Sequence, residues 1–301
     1  MGSCVILNDV GPRDGLQNQP KILRPEERVS LVRALLQAGL SHVEVGAFVS
    51  AKAVPAMAGA DEILAALGRN SSKVLTVLIP NFRGYELAVA AGARSVCMVL
   101  YGTDSMAQAN VKMSRKQAQA VAVDVLEQAQ KDGVRVTTTI AVAFDCPFEG
   151  LVDPGLISET AGRFLALGTD ELCIADTIGA ANPQQVSSLT TSLATEFGTE
   201  RLACHFHDTR AMGLANVYAS LESGIRRFDT SIAGLGGCPF APGASGNVAT
   251  EDVTMMLEHM GYDTGIDMDA LLRASEQAQV LTGTAPGGRA NAWLKQRSRN
   301  S

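Results

Sequence analysis

Eight short apolar, β-branched runs alternate with helix-length segments along the chain, and this rhythm constrains the fold more than any other feature. The strand candidates are residues 4–10, 42–48, 73–79, 95–101, 134–144, 171–177, 201–207 and 227–234. Between them lie amphipathic stretches such as PEERVSLVRALLQAG, SRKQAQAVAVDVLEQAQKDG and NPQQVSSLTTSLATEFG, and an eighth, VATEDVTMMLEHMG, follows the last strand. Several close on glycine, which suits a left-handed C-cap, and Pro25 and Pro154 stand near helix starts. Eight strand–helix units within about 260 residues predict an α/β fold, a (β/α)8 TIM barrel with a short C-terminal helical extension. The 301 residues read as one domain, with the barrel over about 4–261. Residues 262–301 are expected to add a capping helix, DMDALLRASEQAQVLTG, and a loose tail, QRSRNS.

Composition narrows the partners. A net charge of −6 argues against nucleic acid or an anionic membrane surface, and no apolar run reaches the roughly 18 residues of a spanning helix. MGSCVILNDV lacks a signal-peptide pattern, and the six cysteines show no CxxC spacing. The expectation is a cytoplasmic protein with free thiols, no membrane and no nucleic-acid partner.

In such barrels the chemistry lies at the C-terminal ends of the strands and in the loops that follow. Five of these ends carry unusual polar residues: Arg13 and Asp14 after the first strand, Glu44 within the second, Asp176 at the sixth, His205 and His207 at the seventh, and a glycine-rich loop with Cys238 after the eighth. Alternation along a strand puts His205 and His207 on one face, toward the barrel mouth, with Phe206 on the other. Two imidazoles, a carboxylate (Asp14) and an amide (Asn247) suit an octahedral divalent cation, Mg2+ or Mn2+ rather than structural Zn2+. Asp208, one residue beyond His207, faces away and is expected to orient an imidazole from behind or to cap the loop. Glu44 needs a partner for its buried charge, and either Arg13 or the water network around the metal would supply one. Cys238 reads either as a proton-transfer group or as a small buried side chain, as Cys97 and Cys204 do.

With these residues assembled, the chain resembles the 3-hydroxy-3-methylglutaryl-CoA (HMG-CoA) lyase family of metal-dependent TIM-barrel lyases. The resemblance rests on DVGPRDGLQN, DCPFEG (145–150), ADTIG (175–179), HFHDT and GLGGCPFAPGASGNVATED, and runs from about residue 5 to 260. It implies that Asp14, His205, His207 and Asn247 ligate the metal, that Arg13 stabilises an enolate, and that Cys238 transfers a proton. It also implies supporting roles for Gln17, Glu44, Asp176 and Glu251, an acyl-CoA substrate and a homodimer. The implied reaction is a retro-aldol (Claisen-type) cleavage to acetyl-CoA and acetoacetate, with a site histidine or carboxylate acting as base through water.

The chain departs from the family pattern in places. Asp9 stands where the motif opens with Glu, Pro20 where a basic residue often follows, and HDTRAMGLAN replaces HDTYGQALAN, which adds Arg210 near the mouth. Ala47, Thr139 and Cys173 replace Ser, Tyr and Ser at positions expected to line the acyl pocket. Intact machinery with an altered pocket leaves a second reading open, the same cleavage on a related 3-hydroxy-3-substituted acyl-CoA. A Claisen-condensing synthase is disfavoured by the short C-terminal extension, and an inactive scaffold barrel by the complete polar set.

Overall fold

The β-branched runs pair edge to edge as eight parallel strands: β1 (Ile6–Asp9), β2 (His42–Ala47), β3 (Val74–Leu78), β4 (Ser95–Tyr101), β5 (Arg135–Ala141), β8 (Glu171–Asp176), β9 (Leu202–Phe206) and β10 (Arg227–Thr230). In this computed structural model they close a barrel in the order β1-β10-β9-β8-β5-β4-β3-β2. The structure describes residues 3–68, 72–237 and 246–298. Closure joins Ile6–Asp9 to Arg227–Thr230 residue for residue. β6 (Asp145–Cys146) and β7 (Gly150–Leu151) form a small antiparallel hairpin outside the barrel.

Helices α1 (Pro25–Gln37), α2 (Ala60–Leu67), α3 (Phe82–Ala90), α5 (Arg115–Asp132), α6 (Pro154–Ala166), α7 (Pro183–Phe197), α8 (Gly213–Glu222) and α9 (Thr250–His259) follow their strands. The apolar periodicity had placed each of them. Local chemistry fixes their ends: Ser114 and Gln117 make a reciprocal capping box at the start of α5, and Gly133, at φ 64°, closes it in the left-handed region. The core lies between barrel and helices, where Leu31, Val43, Val96, Leu126, Phe164 and Val217 are buried.

Three elements differ from the sequence expectation. Helix α4 (Asp104–Val111) was missed; at eight residues it is short, and Thr103 rather than an apolar stripe marks its start by accepting from Met106 N at 3.3 Å. The hairpin was also missed, since two-residue strands carry no alternation; Glu149 ties it to α4 by accepting from Ser105 N at 2.8 Å. At the C-terminus α10 (Met268–Thr282) is a helix where one was expected and packs against α1 and α9, but α11 (Asn291–Ser298) covers residues 296–298, where a loose tail was expected. The segment before α11 is tied down by Gly287 N to Ala233 O at 3.1 Å and by Arg289 N and Ala290 N to the Asp252 carboxylate at 2.6 and 2.9 Å.

Inside the barrel the packing is unusual. Inward positions of such barrels are mostly filled by bulky branched residues. Here Asn8, Thr76, Cys97, Thr137 and Thr139 face an internal cavity, with Arg135 and Glu171 at its lower end.

Candidate metal centre and substrate cavity

After β1 the chain turns through Gly11–Gly15, a helical turn that presents Arg13 and Asp14 to the barrel mouth. Asp9 braces it from below, accepting from Gly11 N at 2.9 Å and from Thr250 Oγ1 at 2.6 Å. Burial pushes this carboxyl up to about 7 despite those bonds.

Arg13 donates to Asp14 Oδ1 at 2.9 Å and to Glu44 Oε2 at 2.8 Å. Both carboxylates hold the guanidinium protonated against the cost of burial, raising its pKa above the ordinary arginine value. Glu44 is 4 % exposed, so its charge depends on this partner; burial still raises its pKa. One Glu44 oxygen, Oε1, is buried with no hydrogen-bond partner.

The two histidines leave β9 on the same side, as the alternation predicted, with ring centroids 5.0 Å apart. Phe206 packs outward against Phe144 at 6.4 Å. His207 Nδ1 meets the Asp176 carbonyl oxygen at 3.1 Å, and His205 Nδ1 meets Asp229 Oδ2 at 3.1 Å. These backing contacts leave Nε2 of each ring as the lone-pair nitrogen. Burial, reinforced by His205, pushes His207 down to about 4, so it is neutral and able to donate a lone pair. For His205, burial acts downward, but the hydrogen bond and charge of Asp229, with Asp14, carry it above the usual value. At Asp14 burial acts upward, and Arg13, His205 and His207 outweigh it to hold the carboxylate at about 2.

The glycine-rich loop returns alongside β9. Val248 N donates to Phe206 O at 3.0 Å, and His207 pairs antiparallel with Asn247. A Cβ on Gly246 would collide with the Gly234 carbonyl, so this close return requires glycine. Asn247 donates to Asp14 Oδ2 at 2.8 Å and to Leu235 O at 3.2 Å, while its Oδ1 is buried without a partner.

Ligand atoms of Asp14, His205 and His207 lie within 4.8 Å of one another. An ionised carboxylate, a neutral imidazole and an orphaned amide oxygen beside them form a donor set that fits a divalent cation. Arg13, Gln17, Glu44 and Thr139 line the same cavity, of about 510 Å³. Gln17 reaches Asp14 at 3.4 Å.

Other sequence candidates sit further out. Asp176 turns its carboxylate to Ala180 N and Ala181 N at 2.8 and 3.2 Å and reaches the site through its main-chain oxygen. Asp208 caps the start of α8 through Gly213 N at 2.9 Å and pairs with Arg289 at 3.2 Å; it orients neither imidazole. Arg210 is drawn back onto Gly179 O at 3.1 Å. Ala47 is buried in the barrel wall, and the Cys173 thiol points at Asp229, 3.6 Å away. Glu251 supports the loop base, accepting from Ala233 N, Ser275 Oγ and Gly288 N at 3.1, 2.7 and 2.9 Å. Cys238 lies outside the described residues.

Sequence reasoning missed Asp229, the carboxylate behind His205. The signal was available: like Glu44, it is an acid inside an otherwise strand-like run, RFDTSIAG, and such a charge requires a partner.

A parallel barrel with a carboxylate–imidazole cluster at its C-terminal rim and a guanidinium beside it has the architecture of a TIM-barrel enzyme with a candidate metal centre, and its relatives place it among the carbon–carbon lyases. The HMGL-like family model matches residues 4–277. The chain belongs to this family. It is 42 % identical over 295 residues to hydroxymethylglutaryl-CoA lyase of Pseudomonas mevalonii, covering 98 % of each chain. It is 41 % identical to the 3-hydroxy-3-isohexenylglutaryl-CoA/hydroxymethylglutaryl-CoA lyase of Pseudomonas aeruginosa, covering 95 % of each. The crystal structure of a hydroxymethylglutaryl-CoA lyase from Pseudomonas aeruginosa superposes with a TM-score of 0.94 at 40 % identity, over 99 % of both chains. Among the described residues no helix is long and apolar enough to cross a membrane.

Proposed function

We propose that this chain cleaves HMG-CoA to acetyl-CoA and acetoacetate. The observation that carries the reading is the placement of Arg13, locked between Asp14 and Glu44 at the edge of the candidate metal cluster. A retro-aldol cleavage removes the hydroxyl proton, breaks C2–C3, leaves the electron pair on the thioester enolate and then protonates C2. A cation already held by two carboxylates stabilises the enolate oxygen without reorganising. Asp14, His205, His207 and Asn247 would hold Mg2+ or Mn2+, which would polarise the hydroxyl and an acyl oxygen. A site histidine or carboxylate takes the hydroxyl proton through water, and Cys238 is the candidate donor to C2. Glu44 and Gln17 keep Arg13 and Asp14 in place.

The test is acetyl-CoA release from HMG-CoA by the full chain with Mg2+ or Mn2+, with EDTA as the control. Metal-dependent release supports the reading. A metal-loaded protein that cleaves no hydroxyacyl-CoA would instead favour a scaffold role.

A second reading, the same cleavage on a related 3-hydroxy-3-substituted acyl-CoA, is favoured by Thr139, a short side chain facing the cavity. We read the protein as a cytoplasmic homodimer, one barrel domain with a C-terminal cap, acting on an acyl-CoA with no nucleic-acid or membrane partner. Light scattering on the purified chain checks the dimer.

A further inference from the structure

The cavity does not end at the metal ligands. Thr139, Thr137 and Arg135 line it in succession down β5, with Cys97 and Asn8 beside them. Hydroxyls, a thiol and an amide occupy positions that bulky side chains fill in most such barrels, so an axial well stays open. Residues two apart on one face are about 6.6 Å apart along a strand, which sets Arg135 about 13 Å along β5 below Thr139.

Arg135 lines the floor of the well, and Arg227 stands behind it. Arg135 and Arg227 share one carboxylate, Glu171, at 3.3 and 3.1 Å. His42 lines the same floor and stays neutral, its pKa pushed to about 4 by burial and by Arg227, Arg135 and Lys73. Asp229, higher up, is engaged by Asn8 at 2.8 Å and His205 at 3.1 Å. Asn8 keeps its Oδ1 buried without a hydrogen-bond partner.

We propose that this axial well binds the C3 branch of the substrate, and that the branch it suits is longer than methyl and ends in a carboxylate. The substrate class is then a 3-hydroxyglutaryl-CoA in which the 3-methyl is replaced by a longer chain that ends in a second carboxylate. The proposal rests on the lyase reading above and keeps its chemistry: C2–C3 breaks, the hydroxyl proton leaves, C2 is protonated, and the products are acetyl-CoA and a 3-keto acid that retains the branch. Arg135 is the recognition group, Arg227 holds Glu171 from behind so that Arg135 can turn to the ligand, and Thr137 and Thr139 set the bore.

The experiment compares three thioesters with the full-length, Mg2+-loaded protein: HMG-CoA and analogues whose 3-methyl is replaced by butyl or by 4-carboxybutyl. The expected result is a kcat/KM for the carboxybutyl compound at least tenfold above that for the butyl compound. Arg135→Gln should erase that preference, and Thr137→Leu should lower the carboxybutyl-to-methyl ratio at least tenfold. Cleavage of HMG-CoA without cleavage of the carboxybutyl compound would overturn the proposal and leave the lyase reading standing. A carboxybutyl preference that survives Arg135→Gln would overturn the role of the floor. Failure on all three thioesters would remove the lyase reading and this proposal with it.

Discussion

His205 Nδ1 lies 3.1 Å from Asp229 Oδ2, and the other oxygen of that carboxylate accepts from Asn8 at 2.8 Å. The carboxylate fixes the tautomer that leaves Nε2 free and sets the ring plane toward Asp14. Asp229→Asn can present an N–H to Nδ1 instead, which favours the tautomer protonated at Nε2. The expected outcome is a loss of divalent affinity of roughly 10–100-fold with an unchanged circular dichroism spectrum. Calorimetric titration of the metal-free protein with Mn2+ checks this, and wild-type affinity in the variant would contradict it.

Arg13 is held by Asp14 and Glu44 whether or not substrate is present. Its contribution should therefore appear where charge develops. Arg13→Gln is expected to lower kcat by about 100–1,000-fold, or about 3–4 kcal/mol, with KM within a few-fold. Steady-state kinetics decide it; a near-normal kcat would assign the enolate to another group.

Burial raises Asp9 from an ordinary 3.8 to about 7, against the bonds from Thr250 and Gly11 and with some help from the Glu251 charge. Between those values the folded chain holds a proton that the unfolded chain has released. This carboxyl's contribution to stability is therefore fully present below about pH 4 and is lost as the pH rises to about 7. Asp9→Asn, which cannot titrate, should flatten that part of the profile. Urea unfolding of both proteins from pH 4.5 to 7.5 measures the difference, and parallel curves would rule the effect out.

Glu251 and Asp252 are buried carboxylates whose donors include Gly288 N, Arg289 N and Ala290 N. Ending the chain after Ala285 removes these donors and leaves both acids short of partners. A hydrogen bond to a charged group contributes about 1.5–3 kcal/mol, so a clear drop in Tm is expected. Because Glu251 also holds Ala233 N at the base of the glycine-rich loop, turnover should fall with it. Calorimetry and kinetics on the truncated chain check both.

The barrel was legible because its strands are short β-branched runs separated by strongly periodic helices, a pattern that needs no tertiary knowledge. His205 and His207 were legible as a pair because strand alternation alone puts them on one side. Asp208 shows the limit. Adjacency in sequence left two places for it, behind an imidazole or capping the loop; it caps the start of α8, because backing is a matter of neighbouring strands, and that place falls to Asp229 on β10. The weak helix Asp104–Val111 and the hairpin were hidden for a related reason: contacts from Thr103 and Glu149 fix them more than their own pattern does. The open lumen was not visible either, since a threonine in a strand reads the same whether it faces helices or empty space.

Asn247 donates to Asp14 across 233 positions of chain, and β1 completes the barrel only by pairing with β10. Such distant contacts form late, after most of the polypeptide is available. A growing chain emerging from the ribosome thus has the Arg13 guanidinium and the Asp14 carboxylate long before it has the imidazoles and the amide that complete a cradle for a metal. Ion capture becomes a report of finished folding, and fragments that end early should neither sequester metal nor expose an assembled reactive centre.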